Sequence, residues 1–339
     1  MKHCLFVLSA WILFNTHSPA QEAEQDSSYY QAYPTKLTGR YYFSRKYTGL
    51  GLEKEGYKLL YMPNSTLNMG LGVTYQNLTL NLAYGFGFIN PERGRGETNY
   101  LDLQVHAYPK NWVIDLFGQF YNGYYLQRSD GQLLDGQSRS FPDMKLRKVG
   151  ASVQYLFNGD KFSYRAAFLQ NEWQQRSAGS FLAGMELYGG QIRNQKGILP
   201  TTLGREADLR QVKYMEWGPN IGYAYSLVLK KHFFITLSAA SGLSLGRTSL
   251  HFADGNEDLN WAVRPNYFLR GFTGYNSERW SVNINYVYNQ VNLAPVAGYR
   301  VNTGTGNYRF NLVYRFAPGP KLSKKLVWID RTLNKLSGK

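Results

Sequence analysis

Residues 78 to 88 alternate without interruption between large apolar side chains and small or polar ones. Leucine, tyrosine and phenylalanine occupy the even positions, while threonine, asparagine, alanine and glycine occupy the odd positions. Successive side chains of a β-strand point to opposite faces, so this pattern predicts a strand with one apolar and one polar face. The pattern recurs along most of the chain. About a dozen such strands predict an antiparallel transmembrane β-barrel.

The first 20 residues have the features of a secretory signal peptide. Lys2 supplies a basic start, residues 5–14 are apolar, and Ser18 and Ala20 are the small residues before the cleavage site. The apolar stretch is shorter than the roughly 18 residues that a membrane-spanning helix needs. The single cysteine, Cys4, lies inside this signal. We therefore expect an exported mature chain without disulfide or thiolate chemistry.

The chain is basic, with a net charge of +15, which suits an anionic partner. Because the signal predicts export, we expect outer-membrane lipid and lipopolysaccharide as partners, and no nucleic acid. No run of about 18 apolar residues follows the signal, so no membrane helix is predicted. The polar mean hydropathy of −0.42 fits a barrel, since half of each strand faces water.

The chain divides into four predicted segments. These are the signal peptide (1–20), a periplasmic or luminal N-terminal segment (21–36), an all-β outer-membrane barrel (37–316), and a basic C-terminal tail (317–339). The barrel is expected to have about 12 strands, with 10 to 14 as the range, and short periplasmic turns. Phe316 resembles the aromatic signal at the end of terminal strands, so the outer-membrane insertion machinery is a further expected partner.

Apolar residues recur in the tail at four-three spacing, with basic residues around them. This spacing predicts a short amphipathic helix through Leu322, Leu326, Ile329, Leu333 and Leu336. Such a helix would lie on the anionic inner leaflet or dock on a periplasmic partner. The alternative is a solvated tail that is helical only part of the time.

The middle of the chain poses a problem of strand count. The residues 98–126 predict a hairpin that turns at Pro109, and two further strands are predicted at 146–158 and 161–173. If consecutive strands cross the membrane in strictly alternating directions, one membrane-crossing strand is missing within 174–212. Either 191–212 contains a poorly patterned strand, or it is a long periplasmic or luminal insertion.

Charged residues are unevenly distributed over the predicted luminal face. Five arginines lie on the first strand and the last three, whereas two aspartates lie on the hairpin at 98–126; these residues are Arg40, Arg264, Arg270, Arg309, Arg315, Asp102 and Asp115. Opposed basic and acidic faces would set up a transverse field that selects solutes, and would favour a small anionic solute. The alternative is an internal network that fills a small barrel and makes it rigid.

Small residues lie close together on two neighbouring predicted strands, namely Gly70, Gly72, Gly85 and Gly87. They predict a luminal space. The 21–36 segment, the 191–212 insertion or a lipid-like ligand could occupy it. Alternatively, glycine relieves strand curvature there without forming a site.

The sequence offers no set of catalytic residues. His106 is the one strand histidine predicted to face the lumen, and Asp102, on the same face, lies roughly 13 Å away along the strand. No nucleophile is placed beside a base. We therefore predict no catalytic, metal-binding or cofactor-binding residues, and a protein that is not an enzyme.

Several stretches together carry a family resemblance. They are Tyr-Met-Pro-Asn at 61–64 with 70–72, Leu-Asp-Leu-Gln at 101–104 with 121–125, Phe-Ser-Tyr-Arg-Ala-Ala-Phe at 162–168 with 175–180, and Gly-Pro-Asn-Ile-Gly-Tyr-Ala-Tyr at 218–225. The chain resembles the domain of unknown function family forty-four twenty-one, a group of Gram-negative outer-membrane barrels, over roughly residues 29 to 316. The resemblance implies the barrel and the compartment. It implies no activity and no catalytic residues.

These observations support three functions. The leading hypothesis is a small pore or solute-binding barrel with an arginine-lined lumen. The alternative is a structural or assembly component of the cell envelope with a plugged lumen. An outer-membrane enzyme that modifies lipid is the least supported of the three.

Overall fold

The computed structural model describes residues 28–33, 35–75, 78–91, 94–109, 111–131, 140–199, 208–323 and 326. Nearly all of its regular structure is β-strand. The strands are β1 Tyr30–Ala32, β2 Leu37–Lys54, β3 Tyr57–Met62, β4 Asn68–Tyr75, β5 Leu78–Tyr84, β6 Asn99–Ala107, β7 Trp112–Gly131, β8 Ser140–Leu156, β9 Glu172–Gln174, β10 Ala178–Arg193, β11 Leu209–Leu229, β12 Phe233–Phe252, β13 Glu257–Asn276, β14 Trp280–Asn292 and β15 Arg300–Phe316. One short helix, α1 Tyr164–Phe168, precedes β9.

Ten antiparallel strands close into a barrel. Their order is β15, β14, β13, β12, β11, β10, β8, β7, β3 and β2, and the pairing of β2 with β15 completes the circle. Leu37 and Phe316 are partners in that last pairing, so the barrel strands begin and finish at the same end. We call this the terminal end and the opposite one the distal end. The prediction of an antiparallel barrel is confirmed.

The number of strands differs from the expected 12 because β2 has different partners along its length. Its distal part pairs with β3, whereas residues 37–44 pair with β4. The stretch 57–75 therefore forms two strands, interrupted after Met62 by Pro63, which has no backbone N–H for a ladder. Strand β5 pairs with β4, and β6 pairs with β7, outside the closed circle of ten.

The two faces of the barrel strands have opposite polarity. Large apolar side chains are exposed on the outside, including Ile221 at 70%, whereas the neighbouring Asn220 is buried inside at 3%. This arrangement reverses that of a soluble protein and is what a bilayer requires of a barrel. Among the described helical residues, no segment is long and apolar enough to cross a membrane as a helix.

The alternating segment at 78–88 forms a shorter strand than its pattern predicts. Strand β5 ends at Tyr84, and a single 3₁₀ turn follows at Gly87–Ile89. Asn90 accounts for this ending, because its side chain donates to Phe86 O at 2.9 Å and accepts from Leu67 N at 2.7 Å. These bonds tie the chain to the preceding loop instead of to a ladder.

The predicted strand at 161–173 is wrong. Residues 158–177 instead form a plug, which contains α1 and β9. Ser163 caps the helix by accepting from Ala166 N at 2.9 Å, and the rings of Tyr164 and Phe168 stack at 4.4 Å, one helical turn apart. Because β10 is therefore the next barrel strand after β8, no hidden strand is needed at 191–212. The described part of that stretch contains the end of β10, a distal connection and the start of β11.

The plug lies across the terminal end of the lumen. Strand β9 pairs with β1, which comes from the N-terminal segment, and Trp173 Nε1 donates to Lys231 O at 2.8 Å in the turn between β11 and β12. Tyr30 donates to Gly159 O at 2.9 Å. Burial raises the pKa of Tyr30 to about 12, so this donor keeps its proton at neutral pH.

Arg315 on β15 holds the plug most extensively. Its guanidinium donates to Gln170 O at 2.8 and 2.5 Å, to Ser277 O at 2.6 Å and to Asn276 Oδ1 at 2.8 Å. Charged hydrogen bonds of this kind are stronger than neutral ones. The plug is thus fixed to the wall at the point where the barrel closes.

A buried apolar cluster fills the distal part of the lumen. It combines strand residues from several sides of the barrel with residues of the distal connections, such as Leu52, Leu146, Ile192, Ile198 and Val296. Dense packing of this kind leaves few voids larger than a water molecule. The lumen is therefore occupied by side chains at its distal end and by the plug at its terminal end.

The predicted segments at the chain ends are described only in part. The signal peptide and residues 21–27 lie outside the described residues, and residues 28–33, 35 and 36 lead through β1 to the barrel. After Phe316, a first helical turn is present at 320–323, where Leu322 N and Ser323 N donate to Gly319 O. The remainder of the predicted amphipathic helix lies outside the described residues, except for Leu326.

The apolar belt generates a prediction about depth in the bilayer. We expect Ile221→Lys, near the middle of β11, to lower the free energy of unfolding by about 2–4 kcal/mol, because lysine is costly at the bilayer midplane. Leu259→Lys, at the distal start of β13, should cost only about 0–1 kcal/mol. Folding titrations in phosphatidylcholine vesicles measure both values. Equal costs would contradict this placement of the belt.

The contacts of Arg315 generate a second prediction. Arg315→Met leaves the buried carbonyls of Gln170 and Ser277 without their donor, so we expect a loss of about 3 kcal/mol in the free energy of unfolding. Trypsin should then cut the plug after Lys161 or Arg165. The control is Arg300→Met, which removes an exposed ion pair with Glu53 and should cost at most about 1 kcal/mol. Unchanged protease resistance in Arg315→Met would show that the plug is held otherwise.

Candidate functional site

A cavity of about 110 Å³ lies in the terminal half of the lumen, and we call it the chamber. Phe168 and Leu169 of the plug form one side of it. Three of the predicted luminal arginines line it together with a group of asparagines; these residues are Arg40, Arg270, Arg309, Asn81, Asn285, Asn307 and Asn311. The chamber therefore combines basic and polar side chains with apolar ones, which come from the plug and from wall residues such as Phe272 and Val287.

Arg40 comes from the terminal half of β2 and is 5% exposed. Its Nη1 donates to Asn81 Oδ1 at 3.2 Å, and its Nη2 donates to Leu169 O at 2.5 Å. Its Nε is buried without an acceptor. The guanidinium thus has neutral partners only, and part of its donor capacity is unused.

Arg309 comes from β15, the neighbour of β2. Its guanidinium lies over the ring of Tyr42, 4.4 Å from the ring centre, which provides a cation–π contact. Its buried Nε also has no acceptor. Among the described residues, neither Arg309 nor Arg40 forms an ion pair with a carboxylate. Two cationic side chains therefore face one small space without a counter-charge.

Arg270 differs from these two because it has an acidic partner. It donates to Asp115 Oδ2, and to the Tyr164 hydroxyl at 3.2 Å. Asp115 is fully buried and is also hydrogen-bonded to His106 Nδ1 at 2.6 Å. The sequence analysis placed Asp115 on a different part of the luminal face from the arginines. It considered Asp102, and not Asp115, as the partner of His106. In the barrel, His106 lies opposite Asp115 in the ladder of β6 and β7, and Arg270 reaches Asp115 from β13.

The remaining predicted charged residues lie in other parts of the molecule. Arg315 holds the plug, and Arg264 lies in the distal half of β13 near Glu216. Asp102 accepts from the Tyr121 hydroxyl at 2.8 Å and pairs with Lys46 at 3.4 Å. The five arginines do not form one continuous basic face, and the two aspartates are each paired with a cation.

The predicted luminal glycines make room for neighbouring side chains. A Cβ at Gly70 would lie 2.3 Å from Tyr42 Cζ, and one at Gly72 would lie 2.1 Å from Asn81 Oδ1. Gly85 follows β5 and approaches Thr66, whereas Gly87 lies in the 3₁₀ turn with open space around it. Gly70 and Gly72 thus allow the positions of Tyr42 and Asn81, which contact Arg309 and Arg40 respectively.

Sequence reasoning missed Lys148 as a luminal residue. Lys148 on β8 is 1% exposed and donates across the lumen to Asn289 Oδ1 at 3.0 Å and Thr305 Oγ1 at 3.3 Å. Lys148 shares a strand face with Leu146 and Ser152, opposite the exposed Val149 and Val153, and this alternation could have revealed it. Tyr42 and Asn81 become informative only once the pairing of β2, β4 and β5 is known.

This arrangement can bind an anionic group. Guanidinium N–H groups form strong hydrogen bonds with phosphate and carboxylate oxygens, and their planar geometry suits two parallel bonds. Asparagine amides around them can supply further donors. In the described part of the chain, no group of three or more histidine, cysteine, aspartate or glutamate side chains is placed to bind a metal ion.

Comparison with solved structures finds bacterial outer-membrane proteins. The outer membrane protease OmpT from Escherichia coli is 10% identical, with a TM-score of 0.40, over 84% of this chain and 98% of that one. OprG from Pseudomonas aeruginosa is 12% identical, with a TM-score of 0.27, over 85% and 98%. The toluene transporter TodX from P. putida is 6% identical, with a TM-score of 0.25, over 84% and 91%.

The match to a protease corrects the prediction that this chain is not an enzyme. An outer-membrane protease is among the similar structures, and the predicted absence of enzymatic activity is not retained. At 10% identity and a TM-score of 0.40, the match assigns no proteolysis to it either. The enzymatic status of the chain is therefore open.

Sequence comparison gives a clearer result. No curated protein matches the chain. The model of the family described as "Domain of unknown function (DUF4421)" matches residues 24–316, which include every described barrel strand. This match covers most of the chain, and it agrees with the resemblance found in the sequence. The chain therefore belongs to the DUF4421 family.

Proposed function

We propose that this protein is an outer-membrane barrel that binds an anionic ligand group in the chamber beside Arg40 and Arg309. The observation that carries the proposal is the pairing pattern of the luminal charges. Asp115 and Asp102 each have a cationic partner, whereas Arg40 and Arg309 have none of opposite charge among the described residues. Burial of a charge is costly unless it is paired, so an anion in the chamber would stabilise both arginines.

The exterior supports the membrane location, because its exposed apolar belt fits a bilayer. Apart from the plug, the terminal turns 230–232 and 277–279 are short, whereas the distal connections range from 55–56 to 194–208. Outer-membrane barrels have short periplasmic turns and longer extracellular loops. By this rule the terminal end, with the plug, faces the periplasm.

The occupied lumen favours binding over free conduction. Side chains of β7, β8 and β15 meet across the barrel, where Thr305 Oγ1 donates to Gln119 Oε1 at 3.1 Å and Lys148 reaches Thr305. The plug and the distal apolar cluster lie on either side of this layer. A ten-stranded lumen is narrow enough for side chains to fill, so a permanently open pore is the less supported form of the hypothesis.

The same occupied lumen supports a second candidate function, a structural or assembly role. In that case the barrel is a rigid support, and the plug surface or the basic C-terminal tail binds a periplasmic partner. Deletion of residues 319–339 tests this role. Loss of co-purifying envelope proteins, with the barrel still folded, would favour it over ligand binding.

Anion binding generates a prediction for the chamber arginines. In neutral detergent, the protein should bind butyl phosphate, and Arg309→Gln should weaken binding about 10–100-fold, because one charged hydrogen bond contributes about 1.5–3 kcal/mol. Calorimetric titration measures the affinity. Arg45→Gln is the matched control, since Arg45 lies on the outer face of β2. Absence of binding, or equal affinity in Arg309→Gln and the control, would refute the proposal.

The occupied lumen generates a separate prediction for conductance. In planar bilayers, we expect the intact protein to form no steady channels, whereas Arg315→Met should show intermittent openings because its plug has lost its main anchor. A steady anion-selective conductance from the intact protein would contradict a closed lumen. Replacement of Arg309 and Arg315 by serine would then test whether these two residues set the selectivity.

A further inference from the structure

Strands β5 and β6 lie next to each other in chain order but are not joined in the sheet. β5 pairs with β4 on one edge, and β6 pairs with β7 on one edge. Within the described residues, no backbone hydrogen bond links β5 to β6. We call the space between their free edges, Leu78–Tyr84 and Asn99–Ala107, the seam. It is a lateral interruption in the terminal half of the wall.

The seam is bounded at its distal side by side chains. The Tyr100 hydroxyl accepts from Asn68 Nδ2 at 3.2 Å and lies 3.1 Å from Thr66 Oγ1. These contacts connect the start of β6 to the segment that leads into β4. The interruption is therefore confined to the level of the membrane belt. At this level, the side chain of Leu82 on β5 is 45% exposed.

An open sheet edge is unfavourable at this level. Hydrocarbon offers no hydrogen bonds, so unpaired backbone groups in contact with lipid cost several kcal/mol each, and membrane barrels normally close every edge. Unpaired edges are tolerated where they line a polar cavity. The seam thus requires polar surroundings on its luminal side.

The chamber lies directly behind the seam. Asn81 from β5 lines it on one side, and Gln104 and His106 from β6 line it on the other. The His106 side chain is 33% exposed although its partner Asp115 is fully buried. The chamber is therefore accessible between the two strands, and Arg40 and Arg309 form its inner side.

We propose that the ligand is a membrane amphiphile with a phosphate or carboxylate headgroup, which enters the chamber from the bilayer through the seam. This inference rests on the proposed anion-binding function and specifies its ligand class and route. The headgroup lies beside Arg40 and Arg309. The hydrocarbon chain stays in the seam, between the outer sides of β5 and β6, where Leu82 and Leu103 are located.

The size of the chamber supports this division of the ligand. Its volume of about 110 Å³ is several times the space that one buried water molecule needs. This space accommodates one phosphate or carboxylate group and not a whole lipid. A ligand with a long apolar part must therefore extend out of the chamber, and the seam opens to an apolar environment that suits such a part.

Cross-linking of the seam tests the route. The sequence contains no cysteine after Cys4, so Leu82→Cys with Leu103→Cys can be joined specifically by a bis-maleimide. The matched control is Val73→Cys with Leu80→Cys, which are partners in the β4–β5 ladder that already exists. The probe is a diazirine-labelled dodecyl phosphate in phosphatidylcholine nanodiscs. Mass spectrometry then identifies the labelled peptide after illumination.

We expect labelling of residues 99–107 in the intact protein and in the cross-linked control. Cross-linking of the seam, or the Arg309→Gln substitution, should reduce labelling to background. Persistent labelling of the chamber after the seam is cross-linked would overturn the inference. Labelling spread over the apolar exterior, unaffected by Arg309→Gln, would also overturn it by showing adsorption to the barrel surface.

Butyl phosphate distinguishes this inference from the function on which it rests. If the uncross-linked protein in detergent fails to bind butyl phosphate, the proposed anion-binding function itself is wrong. If the seam-cross-linked protein binds butyl phosphate as tightly as the control pair does, the chamber binds anions but is reached by another route. In that case only the lateral entry is refuted.

Discussion

The need of buried cationic side chains for acceptors is the constraint on which the interior of this barrel depends. The polar face of each strand points into a narrow lumen, so a luminal arginine cannot rely on bulk water. Arg315 uses the carbonyl of Gln170 in the plug and acceptors at the turn after β13, and Arg270 uses Asp115. Arg40 uses one plug carbonyl, at Leu169. The plug is therefore both a structural closure and a source of hydrogen-bond acceptors.

This constraint also explains why the chamber stands out from the rest of the lumen. Many luminal polar groups have a partner on another strand, as Lys148 has Asn289. Within the described part of the chain, Arg309 contacts an aromatic ring and no carboxylate, and Arg40 has only neutral partners. The seam adjoins the same space. A basic site and a lateral interruption of the wall thus occur together, and this coincidence links the proposed ligand class to its proposed route.

Much of the fold could be predicted from local pattern, because strand periodicity depends on residues that are close in sequence. The hairpin of β6 and β7 is an example, with its turn at Pro109. The plug could not be predicted in this way. Its segment Phe162–Phe168 is apolar enough to resemble a strand, and its position depends on contacts with distant strands, such as that of Tyr164 with Arg270. The strand count failed for a similar reason, since β2 changes partners along its length.

The sequence by itself determined the membrane barrel and the luminal position of the arginines, because alternation assigns each side chain to one face of its strand. It also supplied the family, through stretches that include the plug helix. Only the tertiary structure decided which arginines are neutralised. Asp115 and Arg270 lie 155 positions apart, and closure of the barrel brings them together, whereas Arg40 and Arg309 have no counter-charge among the residues that the structure describes. Charge pairing depends on distance in space, which local sequence pattern does not contain.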